Sequence, residues 1–268
     1  MVPRDPAGLA GAAADAVAAG AREVRIRPRT PCGGGSLSPR VVEPALTAVR
    51  GAVRVPVVVA ADAWAEPDPE RRSARIRSWE TLPDLAWVAW HEPGAEETAA
   101  ALLARGVAVE AGLRAGTAGP ALFARSPLAA RVRRIVAEVP DPVRTTAPNT
   151  ATGSAEAKDP SAPKDPAGAT DPARATGSAE AAGLTWAADP AWAAGPAGGV
   201  EAWARALAGG SVPVLLCGTG AAAWPSLRLA RRLGLAGRIG LEDTLYLPDG
   251  TRARSSAEQV RAASAGLR

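Results

Sequence analysis

Two carboxylates stand side by side near the C-terminus, in Arg238-Ile239-Gly240-Leu241-Glu242-Asp243, behind a short apolar run headed by an arginine. Neighbouring residues on a strand point to opposite sides until the strand breaks. One carboxylate is therefore placed to hold a metal while the other handles a proton. A second run, Arg25-Ile26-Arg27-Pro28-Arg29, puts Arg25 and Arg27 on one face by its period of two. Inward-turned guanidinium groups require anions, because burying an unpaired charge costs several kcal/mol. The anion is a substrate carboxylate or phosphate, or a protein carboxylate such as Glu242; on a peripheral strand the arginines are simply solvated. Glu110, in the apolar run Val107-Ala108-Val109-Glu110-Ala111-Gly112, is either a site carboxylate or a salt-bridged core glutamate. Cys217-Gly218-Thr219-Gly220 reads as a strand-to-helix turn, which in some proteins cradles an anion.

Composition removes several chemistries. The only lysines, Lys158 and Lys164, lie in a low-complexity stretch, so the folded part offers no Schiff-base amine. The single histidine, His91, ends an apolar run in Trp90-His91-Glu92-Pro93-Gly94 and reads as a loop hydrogen-bonding residue before it reads as a ligand. No nucleophile elbow accompanies it, and a zinc site of several His or Cys ligands cannot be assembled. Cys32 and Cys217 make no disulfide framework. The net charge of +4 comes from scattered arginines without interleaved aromatics, which argues against nucleic acid as a partner. No apolar run approaches the roughly 20 residues of a membrane span. Met1 to Pro6 lacks the apolar core of a signal peptide, so a cytoplasmic location is expected.

The elements that must position these residues alternate. Apolar, Val/Ile/Leu-rich runs cover Glu23 to Arg27, Pro56 to Ala61, Leu85 to Trp90, Val107 to Leu113, Arg134 to Val139, Val212 to Cys217 and Arg238 to Leu241. Helical spacing fills Ala7 to Ala19, Pro39 to Gly51, Pro69 to Trp79, Ala95 to Arg105, Trp224 to Leu233 and Ser255 to Leu267. Such alternation predicts a parallel sheet with crossover helices, and 268 residues suit one (β/α) barrel. Seven strands are one short of closure. The opening helix pattern marks the first strand as the missing one. The barrel is expected over 1–140 and 186–268 as one domain, split by a low-complexity insertion over 141–185. In that insertion Ala151-Thr152-Gly153-Ser154-Ala155-Glu156-Ala157 recurs as Ala175-Thr176-Gly177-Ser178-Ala179-Glu180-Ala181. Its composition cannot offset the entropy of ordering, so disorder is expected there.

Taken in order, these features resemble the β-keto acid cleavage enzymes, the family that includes 3-keto-5-aminohexanoate cleavage enzyme. The resemblance rests on the helix Ala14 to Gly20 running into Arg25–Arg29, and on Ala63-Trp64-Ala65-Glu66-Pro67-Asp68-Pro69 and Trp90-His91-Glu92-Pro93-Gly94-Ala95. It rests also on Val109-Glu110-Ala111-Gly112, Ala223-Trp224-Pro225, and Arg238 through Leu245 followed by Leu247-Pro248-Asp249-Gly250. The resemblance implies a TIM barrel, a zinc ion, and a retro-Claisen exchange in which a β-keto acid and acetyl-CoA give acetoacetate and a new acyl-CoA. It implies that Glu242 is a metal ligand, Asp243 the base, Arg238 its assistant and Glu110 a substrate contact. Small-molecule β-keto acid and acetyl-CoA are then the partners, in a possible homo-oligomer.

The departures are specific. Arg25 and Arg27 occupy the places of the family's His-x-His zinc ligands, and a guanidinium has no lone pair to give a metal. The hydroxyl-bearing turn of the family reads Ala60-Ala61-Asp62, and its His-Gly-Glu reads Cys217-Gly218-Thr219. The expectation is a site without zinc, in which Arg25 and Arg27 pair with Glu242 and take over the metal's positive charge. By this resemblance the chain is expected to be a β-keto acid cleavage protein; the alternative is a zinc-less pseudoenzyme or anion-binding barrel, and in both Arg25 and Arg27 are substrate-binding residues.

Overall fold

The computed structural model describes residues 3, 5–142 and 199–265. The insertion expected over 141–185 lies outside them, apart from Asp141 and Pro142. Seven parallel strands run in sequence order through one sheet. They are β1 (Val24–Ile26), β2 (Val57–Ala60), β3 (Leu85–Ala89), β4 (Ala108–Arg114), β5 (Arg134–Val139), β6 (Val214–Gly218) and β7 (Ala236–Gly237). The helices are α1 (Pro6–Ala18), α2 (Pro39–Ala52), α3 (Pro69–Arg77), α4 (Ala95–Ala104), α5 (Gly119–Arg125), α6 (Val200–Ala208), α7 (Ala223–Arg232) and α8 (Ser256–Ala265). The sheet curls into a TIM-like barrel lacking one strand, with β1 and β7 as its two free edges.

Asp-Pro and Ser-Pro pairs start three of these helices. Asp5 accepts from the Gly8 amide at 2.7 Å, and Asp68 from the Glu70 and Arg71 amides, satisfying donors that a first turn leaves open. Ser38, before α2, makes no such side-chain bond. Two helices escape the periodicity reading. α5 is only seven residues long, and α6 shows its buried stripe through Trp203, Ala204 and Leu207.

Strand alternation divides the core in two. Val24, Ile26, Val57, Val59, Ala86, Val88, Val109, Ala111, Ile135, Ala137 and Leu216 face the helices and form the main apolar cluster. Val58, Ala60, Leu85, Trp87, Ala89, Val136, Leu215 and Cys217 face the lumen in a second, smaller one. Arg25, Glu110, Arg134 and Glu138 share the lumen parity, so the same alternation that builds the core delivers charge to the interior.

The strand expected over Arg238–Leu241 is corrected. Pairing with β6 ends after Leu215↔Ala236 and Leu216↔Gly237. A Cβ at Gly237 would lie 2.4 Å from Leu227 Cδ1, so α7 packs closely on the strand there and a larger residue would have to displace that leucine. Beyond it Arg238 turns into the lumen, and the Asp243 amide folds back onto the Gly240 carbonyl at 2.9 Å. Glu242 and Asp243 therefore sit on a turn, and the turn is pinned from both sides. Trp224 of α7 donates its indole N–H to the Tyr246 carbonyl at 2.9 Å, and Gln259 of α8 donates to the Thr244 carbonyl at 2.7 Å.

Candidate functional site

Arg25 on β1, and Arg27 and Arg29 in the segment that follows it, recur at every second position and form a row along the lumen. Trp87 of β3 lies across that row, 4.8 Å from the Arg25 guanidinium and 5.5 Å from that of Arg27. Trp64 caps the outer end, 4.6 Å from Arg29. Cation–π contact of this kind is worth about 0.5–2 kcal/mol, more as water is excluded. Trp87 can lie flat because Gly112 on β4 has no side chain: a Cβ there would meet the indole Nε1 at 2.5 Å.

Two chains of alternating charge hang on this row. In the outer one, Arg27 pairs with Asp62 and, through Nε, with Glu242 Oε2 at 2.9 Å, while Arg29 reaches Glu242 Oε1 at 3.5 Å. In the deeper one, Arg25 lies 3.9 Å from Glu138, Glu138 lies 3.5 Å from Arg238, and Arg238 reaches Asp243 at 2.8 Å. Desolvation works against the charge of Arg27, but Asp62 and Glu242 outweigh it and hold its pKa above the ordinary value. Arg238 is treated likewise, with Asp243 opposing desolvation and raising it further. Arg25 goes the other way, because burial and the neighbouring Arg238 and Arg27 lower it more than Glu138 restores.

The expected pairing of both arginines with Glu242 is thus half met. Arg27 makes it; Arg25 turns to Glu138, because Glu242 rides on the turn at the mouth while Arg25 sits one pleat deeper. Asp243 and Arg238 stand together, and both carboxylate oxygens accept from Arg238, at 2.8 and 3.4 Å. Glu110 belongs to a different group, an ion triad with Arg134 and Glu23 at the opposite end of the lumen. Desolvation raises the Glu110 pKa despite Arg134.

Asp62, Glu138, Trp87 and Arg29 went unnamed as site residues. The alternation Arg134, Val136, Glu138 on β5 carried the signal for Glu138, since those positions share one face. His91 follows β3 at the mouth, where burial and then Arg114 lower its pKa. Burial also pushes the lumen thiol Cys217 up to about 12, which leaves it an inert packing group.

The donor set does not fit zinc. Guanidinium nitrogens offer no lone pair, and the described residues contain no cluster of three His, Cys, Asp or Glu groups able to hold a metal ion. What the lumen does offer is hydrogen-bond donors. Arg25 Nη1, which faces Glu138 Oε1 only at ion-pair distance of 3.9 Å, and Trp87 Nε1 are both buried without a hydrogen-bond acceptor, on two groups in cation–π contact. Buried donors without acceptors cost about 1–3 kcal/mol each, so such a pair marks a place for an acceptor.

Residues 193–268 match the family model for beta-keto acid cleavage enzyme. The resemblance read from the sequence is therefore shown over this stretch, which includes β6, β7, and the turn bearing Glu242 and Asp243. No curated protein gave a significant match to the chain. Among the described residues no helix is long and apolar enough to cross a membrane.

Proposed function

We propose that this chain is a metal-free relative of the beta-keto acid cleavage enzymes that binds a small β-keto carboxylate in its arginine-lined lumen and does not perform the zinc-assisted cleavage. The observation that carries this reading is the orphaned donor pair, Arg25 Nη1 and Trp87 Nε1. A β-keto acid brings two acceptors, a carboxylate and a ketone oxygen, a few bonds apart, and so answers two donors at once. Binding without turnover is favoured because Asp243, the residue in the place of the family's base, spends both oxygens on Arg238. An enzyme using it as a base would first have to break that pair.

The test is titration of the purified protein with acetoacetate, followed by tryptophan fluorescence, beside metal analysis after zinc loading and dialysis. The expected results are saturable quenching with a dissociation constant on the order of 1 mM, weakening with added salt and lost in Arg25→Met, and no retained zinc. Stoichiometric zinc, or fluorescence that does not respond to acetoacetate, overturns the reading.

A further inference from the structure

On the wall formed by β3 and β4 the lumen carries a second pair of polar groups. Ala89 of β3 is in register with Gly112 of β4, and the Trp90 amide donates to the Gly112 carbonyl at 2.9 Å, so the ladder continues past the end of β3. Two residues further on, the same face presents His91 beside Arg114. The guanidinium is close enough to lower the imidazole's pKa, second only to burial. The turn after β4 holds both in place. Thr117 Oγ1 donates to the Arg114 carbonyl at 2.7 Å, and Gly119 packs on His91 so closely that a Cβ there would lie 3.2 Å from the His91 nitrogen. Both groups lack partners. His91 Nδ1 is buried without a hydrogen bond, and half-buried Arg114 makes no ion pair among the described residues. Glu138, the neighbour of Arg114 in register, turns instead to Arg25 and Arg238, and Asp62 is taken by Arg27.

From this geometry we infer that His91 and Arg114 form a second anion subsite, so that the preferred ligand is a β-keto dicarboxylate with a carboxylate at each end of a short chain. The inference rests on the β-keto carboxylate reading and extends it to the far end of the ligand. The spacing sets the chain length. Trp87 Nε1 lies over Gly112, and Arg114 stands two residues beyond, a step of about 6.6 Å along a strand. The carboxyl carbons of a five-carbon chain are about 5 Å apart when extended, so one carboxylate and the ketone meet Arg25 and Trp87 while the other carboxylate meets Arg114. There the guanidinium supplies a charge-assisted hydrogen bond, and the imidazole donates in the tautomer that carries its proton on Nδ1. An apolar tail would cover the guanidinium and leave it without an anion, and an ammonium tail would meet a like charge.

Tryptophan-fluorescence titration near neutral pH compares three ligands: acetoacetate, freshly dissolved 3-oxoglutarate, and the monomethyl ester of 3-oxoglutarate, which keeps the length and loses one charge. Expected is binding of 3-oxoglutarate at least about tenfold tighter than that of acetoacetate, with the ester back at the acetoacetate level. Arg114→Gln should remove the advantage, and His91→Leu should reduce it. Arg231→Gln, which deletes an exposed guanidinium of α7, should leave it intact. Acetoacetate binding without a preference for 3-oxoglutarate, or a preference that the ester shares or that survives Arg114→Gln, overturns the second subsite and leaves the first reading standing. A preference that Arg231→Gln lowers as much as Arg114→Gln belongs to overall charge and also overturns it. No binding of any of the three overturns both. Where Arg114→Gln lowers the melting temperature, the ester comparison on the unaltered protein still decides.

Discussion

Replacing Arg27 by methionine isolates the outer charge chain. The Asp62 side chain is 5 % exposed, its Oδ2 meets Arg27, and its Oδ1 has no partner at all. Removing the guanidinium strands that carboxylate in the lumen. Breaking a buried pair from one side costs about 3–5 kcal/mol. The second partner, Glu242, is 32 % exposed and keeps Arg29 at 3.5 Å, so its share stays below about 1 kcal/mol. Methionine retains an apolar stem against Trp87, which places the expected loss near the low end, about 3 kcal/mol. For a domain of this size that lowers Tm by about 6–12 °C. Urea unfolding of four proteins measures it: the parent, Arg27→Met, Asp62→Asn and the double variant. If the cost is the stranded charge, adding Asp62→Asn to Arg27→Met recovers all but about 1 kcal/mol. A single variant that loses less than about 1 kcal/mol, or a double variant as unstable as the single, refutes the reasoning that Asp62 depends on Arg27.

Three further outcomes are expected. His91 carries a pKa held below its ordinary 6.5 by burial and Arg114, so the unfolded chain takes up that proton first as the pH falls. Its stabilising contribution is complete above pH 6.5 and is lost below it; melting curves should show a decline toward pH 5.5 that is shallower in His91→Asn, and parallel curves refute the assignment. Cys32 is exposed and Cys217 is buried with its pKa pushed up to about 12, so Ellman's reagent at pH 8 should titrate one thiol in the native protein and both in denaturant. Two fast native thiols would show that the lumen admits the reagent. Converting Arg25 and Arg27 together to histidine places two imidazoles on the lumen face near Glu242, and should let the protein retain about one zinc through dialysis. Failure to retain it would mean that Glu242 on its turn does not come within zinc-ligand distance of positions 25 and 27.

The alternation that located Arg25 and Arg27 on one face was readable because it depends only on backbone period. Six of the seven strands were readable for the same reason. β7 was not, because the run Arg238–Leu241 looks extended by composition, while the turn is set by Gly237 passing α7 and by Arg238 seeking Glu138, a partner 100 positions away in the chain. Glu242 and Asp243 were recognised as adjacent carboxylates, but which cation each would meet is a matter of depth in the lumen. Arg27 is level with the turn and Arg25 is one pleat below it. The deep triad of Glu23, Arg134 and Glu110 needed the curl of the sheet to bring β1 and β5 face to face across the interior. No local pattern encodes that distance.

A closed sheet seals its last joint with a backbone ladder, which salt hardly disturbs. Here, at the mouth, the last joint is Glu242 held by Arg27 and Arg29, three charged side chains near water. Its grip is set by a screening length of about 8 Å at physiological ionic strength and shortens as salt is added. Added salt is therefore expected to loosen this joint before it disturbs the backbone ladders of the remaining strands.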